Sequence, residues 1–328
     1  MADNVQLVDS LHSDASGVDA AQANLNIIAG APLAKLTSLR VGGKAEWLVL
    51  PKTVAQLRSA LAWARTRELS VTMLGAGSNL LISDRGLPGL VVCTRALRQS
   101  CFDAVTGRVT AAAGEPWSSL AWKAARQGLK GFEWTIGIPG TVGGAVVMNA
   151  GAHGGETADI LVETEVVDPD GTLSTLTPAD LGFRYRTSNL QGSDRTVVSA
   201  TFQLSPGHDP TQIKAATASD LRSRRKTQPY HLPNCGSVFR NPLHHSAGSL
   251  IQAAGLKGHQ IGKAQTSTLH ANFIVNLGGA RADDVLALIH YTQAVIEERN
   301  GIRLEPEVKI IGDFDSPSFD SPRASAIV

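Results

Sequence analysis

The sequence predicts a mixed α/β protein whose ligand site is built from two glycine-rich loops. Short β-branched or apolar runs alternate with stretches of helical period, which is the pattern of α/β layering. Residues 136–152 (IGIPGTVGGAVVMNAGA) hold five glycines, one proline and no charged side chain. Residues 75–83 (GAGSNLLIS) form a second glycine-rich turn directly after an apolar run. Glycine at that density lets a backbone approach a ligand and aim its N–H groups at phosphate oxygens. A buried glycine turn between core elements is the alternative reading of the first loop, and a plain hairpin that of the second.

The chain is 328 residues long, enough for two or three domains, and 43 % hydrophobic, so most of it should fold. A net charge of +1 gives no electrostatic reason to expect nucleic acid or a membrane surface as partner. Cys93, Cys101 and Cys235 are odd in number and form no CxxC pair, which fits a reducing compartment and excludes a cysteine-based zinc site. The nine histidines show no metal spacing. The first residues carry Asp3, Asp9, Asp14 and Asp19 and no basic or long apolar run, unlike a signal peptide. A soluble, cytoplasmic protein without a metal is expected.

Residues 1–30 read as a flexible arm. Residues 45–50 form a strand stopped by Pro51. Thr53 and Gln56 then open a helix whose face is Val54, Leu57, Leu61 and Ala64. Residues 71–74 are a short buried strand. Residues 75–80 begin like the dinucleotide fingerprint GxGxxG, but Leu80 replaces the third glycine and no long helix follows, so strand–turn–strand is expected instead of a Rossmann unit. Ser78 and Asn79 could donate to phosphates beside the backbone.

Strands follow at 90–93 and 109–113. A helix runs from Pro116 to Gly128, and the long glycine loop comes next. Further strands are expected at 163–168, 171–176 and 196–204. The Pro206-Gly207 to Pro210 stretch reads as a domain boundary, followed by a helix with a basic end at Arg222, Arg224, Arg225 and Lys226. Residues 248–254 form a short helix and 273–276 a strand. The clearest helix is 283–300, with Asp283 and Asp284 at its positive end and Gly301 as its stop. Residues 307–311 form a last strand, and 313–328 a disordered tail rich in Ser, Pro and Asp.

Three segments offer chemistry. Arg186 in FRYRTS (183–188) is a fixed cation for an oxyanion, or a surface arginine. Ser237 in NCGSVFRNP (234–242) is a proton donor, or a turn residue. Glu307 in LEPEVK (304–309) is an acid or an orienting carboxylate, or the solvent-facing start of a strand. No GxSxG elbow surrounds Ser237, so a hydrolase triad has no support.

Taken together and in order, GAGSNLLISD (75–84), IPGTVGGAVVMNAGA (138–152), FRYRTS, CGSVFRNP (235–242), HANFIVN (270–276) and LEPEVKIIG (304–312) resemble the UDP-N-acetylenolpyruvoylglucosamine reductase (MurB) family over about residues 36–312. The resemblance implies an α+β, FAD-binding fold of the vanillyl-alcohol-oxidase (PCMH) type. Two lobes at 31–206 would hold FAD, and a substrate-binding domain at 207–312 would cover it. It implies reduction of UDP-N-acetylglucosamine enolpyruvate to UDP-N-acetylmuramate in peptidoglycan precursor synthesis, with NADPH reducing the flavin first.

On the family pattern, Leu74, Gly75, Ala76, Gly77, Ser78, Asn79 and Leu80 would contact FAD. So would Ile138, Pro139, Gly140, Gly143, Gly144, Asn149, Ala150 and Gly151. Arg186 and Glu307 would act on the enolate, and Ser237 would deliver its proton. Cys235 is given no role. Tyr185, Arg225 and Asn241 would touch the sugar nucleotide. The glycine loops offer His153 and no cysteine, so non-covalent flavin is expected. Some members carry a tyrosine-bearing loop over the UDP group. Residues 202–210 leave no room for it, and the chain resembles the shorter subtype, so the clamp on the diphosphate is open. A monomer, or at most a weak dimer, is expected. An oxidase on the same flavin fold and a non-catalytic sugar-nucleotide binding protein are the rival readings.

Overall fold

The computed structural model describes residues 25–314. Most of the expected arm, and the expected tail beyond Phe314, lie outside the described residues. The chain builds three packed units, and the site lies where they meet.

The first unit contains β1 (Ile28–Pro32), β2 (Lys44–Val49), α1 (Val54–Arg65), β3 (Val71–Leu74), β4 (Leu80–Ile82) and β5 (Leu87–Cys93). β1 begins inside the expected arm because Ile28 pairs with Leu48. The sheet order is β1-β2-β5-β3, with β2 and β3 parallel to β5. Thr53 caps α1 by accepting from the Gln56 N–H, and Val54, Leu57, Ala60 and Ala64 are buried.

The second unit holds β6 (Ser100–Phe102), β7 (Arg108–Ala112), α2 (Trp117–Arg126), α3 (Val142–Met148), β8 (Gly151–Ala152), β9 (Gly155–Glu156), α4 (Thr157–Ile160), β10 (Leu161–Val167), β11 (Leu173–Leu176), α5 (Pro178–Leu181) and β12 (Thr196–Gln203). Its sheet runs β11-β10-β12-β7-β6, every neighbouring pair antiparallel. Trp117, Phe132 and Phe202 meet in its core with ring centroids 5.3–5.4 Å apart.

One stretch read as loop is helical here. Within the expected long glycine loop, Val142–Met148 forms α3, because Thr141 caps it and its apolar side chains face the core. Gly143 allows that seat. A Cβ there would lie 3.1 Å from the Ala113 Cβ.

Helix α6 (Pro210–Thr227) follows the expected domain boundary, yet it packs on α2 and sets Leu221 against the second unit's core. By packing, the C-terminal unit begins after it.

That unit comprises β13 (Asn234–Ser237), α7 (Ala247–Ala253), β14 (Gln260–Ile261), β15 (Ala264–Thr266), β16 (Phe273–Asn276), α8 (Ala282–Asn300) and β17 (Lys309–Ile311), with sheet order β13-β16-β15-β14. α8 buries Val285, Leu288, Ile289 and Ile296 and ends at Gly301 in the left-handed region. The last strand, β17, leaves this sheet and pairs in parallel with β4, Lys309 opposite Leu80. β4 therefore does not return along β3, and the turn between them is no hairpin. That pairing docks the C-terminal unit beside the first glycine loop.

Candidate active site

A cleft of about 1060 Å³ opens between the three units. Residues 74–80, Ile138, Pro139, Gly140, Gly143, Gly144, Ala150 and Gly151 line it, together with Arg186, Ser237 and Glu307. Among the described residues the lining carries seven side-chain cations, Lys35, Arg40, Arg95, Arg186, Arg195, Arg224 and Lys309, against one carboxylate, Glu307. Such a cleft suits ligands with several negative charges.

The first loop is an anion cradle made of backbone. Gly77 has φ +62°, and a Cβ there would collide with the Leu36 carbonyl oxygen, so the bend requires glycine. Arg95 donates to the carbonyls of Gly75, Leu36 and Ala76. In a trans peptide the N–H points opposite to the C=O. Drawing the Gly75 and Ala76 carbonyls to Arg95 thus turns the Ala76 and Gly77 amides away from it, and the amides of Ala76, Gly77 and Ser78 have no partner among the described residues. Arg95 was missed in the sequence because its position, twenty residues after the loop, carries no local signal.

The second loop does different work. The Val142 and Gly143 amides donate to Glu115 and Ala113 carbonyls, and the Gly144 amide to Thr141 Oγ1. The start of α3 thus offers a wall, while the Gly140 and Thr141 amides just before it have no partner among the described residues. The side chains of Ser78 and Asn79 are likewise engaged. Ser78 Oγ donates to the Pro139 carbonyl at 2.9 Å, tying the loops together, and Asn79 Nδ2 donates to the Glu307 carbonyl at 3.1 Å.

Asn149 does not line the cleft. It is fully buried at the left-handed C-cap of α3, where Nδ2 donates to the Arg184 carbonyl and Oδ1 accepts from the Ala158 amide. It holds the turn that carries Arg186.

Arg186 sits in a tight turn closed by hydrogen bonds between Arg184 and Thr187, at φ +55°. A non-glycine residue there carries about 1–2 kcal/mol of strain, a mark of functional sites. Its Nη2 donates to the Gly151 carbonyl at 2.7 Å, and its Nε lies 3.2 Å from Glu307 Oε1. Burial pushes the Glu307 carboxyl above the ordinary carboxylate value, against the pull of Arg186, Arg240 and Lys309. The Glu307 amide donates to the Val238 carbonyl at 2.7 Å, so Glu307 is fixed next to Ser237 on β13. The Ser237 hydroxyl has no hydrogen-bond partner among the described residues. Cys235 is buried in the third core, and burial pushes its thiol up to about 12, which removes it as a nucleophile.

The expected substrate contacts are not gathered here. Tyr185, Arg225 and Asn241 are absent from the lining. Tyr185 lies under the Arg186 guanidinium, and Asn241 Oδ1 accepts from Ala247 at the start of α7. Arg225 faces solvent, while its neighbour Arg224 lines the cleft. His153 is exposed at the β8–β9 turn and also stands outside the lining.

Two family models match the chain. The FAD binding domain covers residues 45–177, and the UDP-N-acetylenolpyruvoylglucosamine reductase C-terminal domain covers 228–311. The UDP-N-acetylenolpyruvoylglucosamine reductase of Trichormus variabilis is 58% identical over 89% of this chain and 88% of its own. The chain belongs to the UDP-N-acetylenolpyruvoylglucosamine reductase family. The reductase of Acaryochloris marina is 54% identical over 86% of this chain and 92% of its own. The solved MurB of Thermus caldophilus is 38% identical, covers 88% of this chain and 98% of that one, and superposes with a TM-score of 0.73. The fold is therefore the FAD-binding one expected, and the second family model begins where α6 ends.

The residues present fit FAD, the group this reductase family's fold implies. The free amides of Ala76, Gly77 and Ser78 suit its diphosphate. Gly140 and Gly144 leave space a side chain would fill, since the nearest atoms to a Cβ at either are one hydroxyl oxygen 3.6 Å away. That bare wall suits a flat ring.

Proposed function

We propose that this chain is an FAD-dependent oxidoreductase that uses NADPH to reduce UDP-N-acetylglucosamine enolpyruvate to UDP-N-acetylmuramate for peptidoglycan synthesis. The observation that carries this is the convergence of Arg186, Glu307 and Ser237 on one cleft with the amide cradle at 76–78. Bound FAD would supply the hydride relay between the two substrates, held non-covalently by residues 74–80, 138–140, 143, 144, 150 and 151.

The chain's own residues answer a defined difficulty. Hydride arriving at the vinyl CH2 leaves negative charge on the carbon beside the substrate carboxylate, an enolate. Arg186 is a permanent cation whose direction is fixed from two sides, by Gly151 and by Glu307. It stabilises that charge without having to move. Glu307, with its carboxyl pushed up, keeps Arg186 in register and holds a proton or hydrogen bond toward the enolate. Ser237 gives its free hydroxyl proton to the enolate carbon, and water or a neighbour restores it. A neutral serine serves because an enolate carbon is a strong base.

No helix among the described residues is long and apolar enough to cross a membrane. We place the reaction in the cytoplasm, which the three free cysteines support. The protein acts as a monomer in this reading, since one chain supplies the whole cleft lining.

The test is an anaerobic absorption spectrum of the purified protein, then with NADPH, then with the enolpyruvyl sugar nucleotide. A flavin band that bleaches with NADPH and returns with that substrate is expected. A protein that binds no flavin even on reconstitution would leave only a binding function. A flavin reoxidised by O2 alone would indicate an oxidase.

A further inference from the structure

We infer that Arg224 is the anchor for a nucleotide diphosphate at the cleft, held in place by a clasp between Tyr230 and Gly137; this rests on the reductase reading and names the residue that grips its substrate. Arg224 occupies the last turn of α6 and lines the cleft. Its Nε and Nη1 are buried, yet neither has a hydrogen-bond partner, and no acid pairs with it among the described residues. Buried guanidinium N–H groups without acceptors are costly to keep, and a site that retains them is built for an incoming anion.

The surroundings hold the guanidinium there. Tyr230 Oη donates to the Gly137 carbonyl at 2.5 Å and joins the segment after α6 to the second loop. A Cβ on Gly137, whose φ is +76°, would lie 2.7 Å from Tyr230 Oη, 3.1 Å from Arg224 Cδ and 3.3 Å from Arg224 Nε. Only glycine lets all three groups meet. The neighbouring Arg222 and Arg225 point to solvent. Nε and Nη1 lie on two edges of a planar, permanently charged guanidinium, so each can donate to a separate phosphate oxygen, which suits a diphosphate better than a lysine's point charge would. Both nucleotides of the reaction carry a diphosphate, so the shared chemistry admits the sugar nucleotide, NADPH, or each in turn.

The test uses the FAD-loaded enzyme as wild type, Arg224→Gln, Arg224→Lys, Arg225→Gln and Arg222→Gln. UDP binding is titrated by calorimetry, the flavin dissociation constant is measured, and KM and kcat are taken for each half-reaction. Loss of two charge-assisted hydrogen bonds predicts UDP binding weakened about 10–100-fold in Arg224→Gln, with a similar rise in the sugar-nucleotide KM and little change in kcat. Arg224→Lys should recover part of it, and Arg222→Gln should match wild type. A rise confined to the NADPH KM would assign the anchor to the dinucleotide. Unchanged UDP binding and unchanged KM for both nucleotides would overturn the inference. So would a loss of flavin affinity, or an equal loss in Arg225→Gln. UDP binding needs no turnover, so failure of wild type to reduce the enolpyruvyl substrate would sink the reductase reading and leave the Arg224 result separately legible.

Discussion

The Nε of Arg186 lies 3.2 Å from Oε1 of Glu307, and the two side chains are only 20% and 15% exposed. The residues are far apart in sequence and come from different units. The pair is backed on both sides. Asn79 holds the Glu307 carbonyl, and Asn149 holds the carbonyl of Arg184, two residues before Arg186. Four chain segments thus converge on one cation and one carboxyl.

Ser237→Ala should separate the half-reactions. Flavin reduction by NADPH is expected to stay near wild type, while reoxidation by the enolpyruvyl substrate slows about 10²–10⁴-fold, the usual worth of a proton donor. Anaerobic stopped-flow at the flavin band measures both. Equal loss in the two halves would contradict the proton-donor role.

Arg186 and Glu307 should behave as one device. Arg186→Ala and Glu307→Gln are each expected to lower kcat for substrate reduction by about 10²–10³. The double variant should lose far less than the product of the two, because the second change removes a partner already idle. Fully multiplicative losses would show that the two act independently.

The pH dependence of stability should carry the mark of Glu307. Burial raises its carboxyl above 4.5, so the folded state binds this proton more tightly than the unfolded chain. Its contribution to stability is complete below the ordinary carboxylate value and is lost as pH rises through the raised one. Glu307→Gln should therefore flatten the fall of Tm that begins as pH rises past the ordinary carboxylate value, whatever its absolute Tm. Parallel Tm profiles for wild type and variant would reject this.

Gly144→Leu should weaken flavin binding without unfolding the protein. Leucine favours a helix over glycine by about 1 kcal/mol, and Gly144 stands in the first turn of α3 facing the cleft. Crowding of about 1–3 kcal/mol predicts flavin affinity reduced about 10–100-fold at unchanged helix content. Equilibrium dialysis with FAD and circular dichroism give the two readouts. Wild-type affinity in this variant would remove α3 from the cofactor wall.

The sequence by itself determined what is local or ordered along the chain. Capping at Thr53, the face of the helix ending at Gly301, the two glycine loops, and the three motifs carrying Arg186, Ser237 and Glu307 all follow from neighbouring residues and their periods. Tertiary structure decided which groups meet. The pairing of Lys309 with Leu80 joins strands more than two hundred residues apart, a choice made by packing. Thr141 and its glycines read as loop, and only the seat of Gly143 on Ala113 made them helix. The side chains of Ser78, Asn79 and Asn149 look like ligand donors until the fold gives them backbone partners. Among the basic residues ending α6, successive side chains point about 100° apart, so only the helix's rotation against α2 could turn Arg224 into the cleft and Arg225 to water.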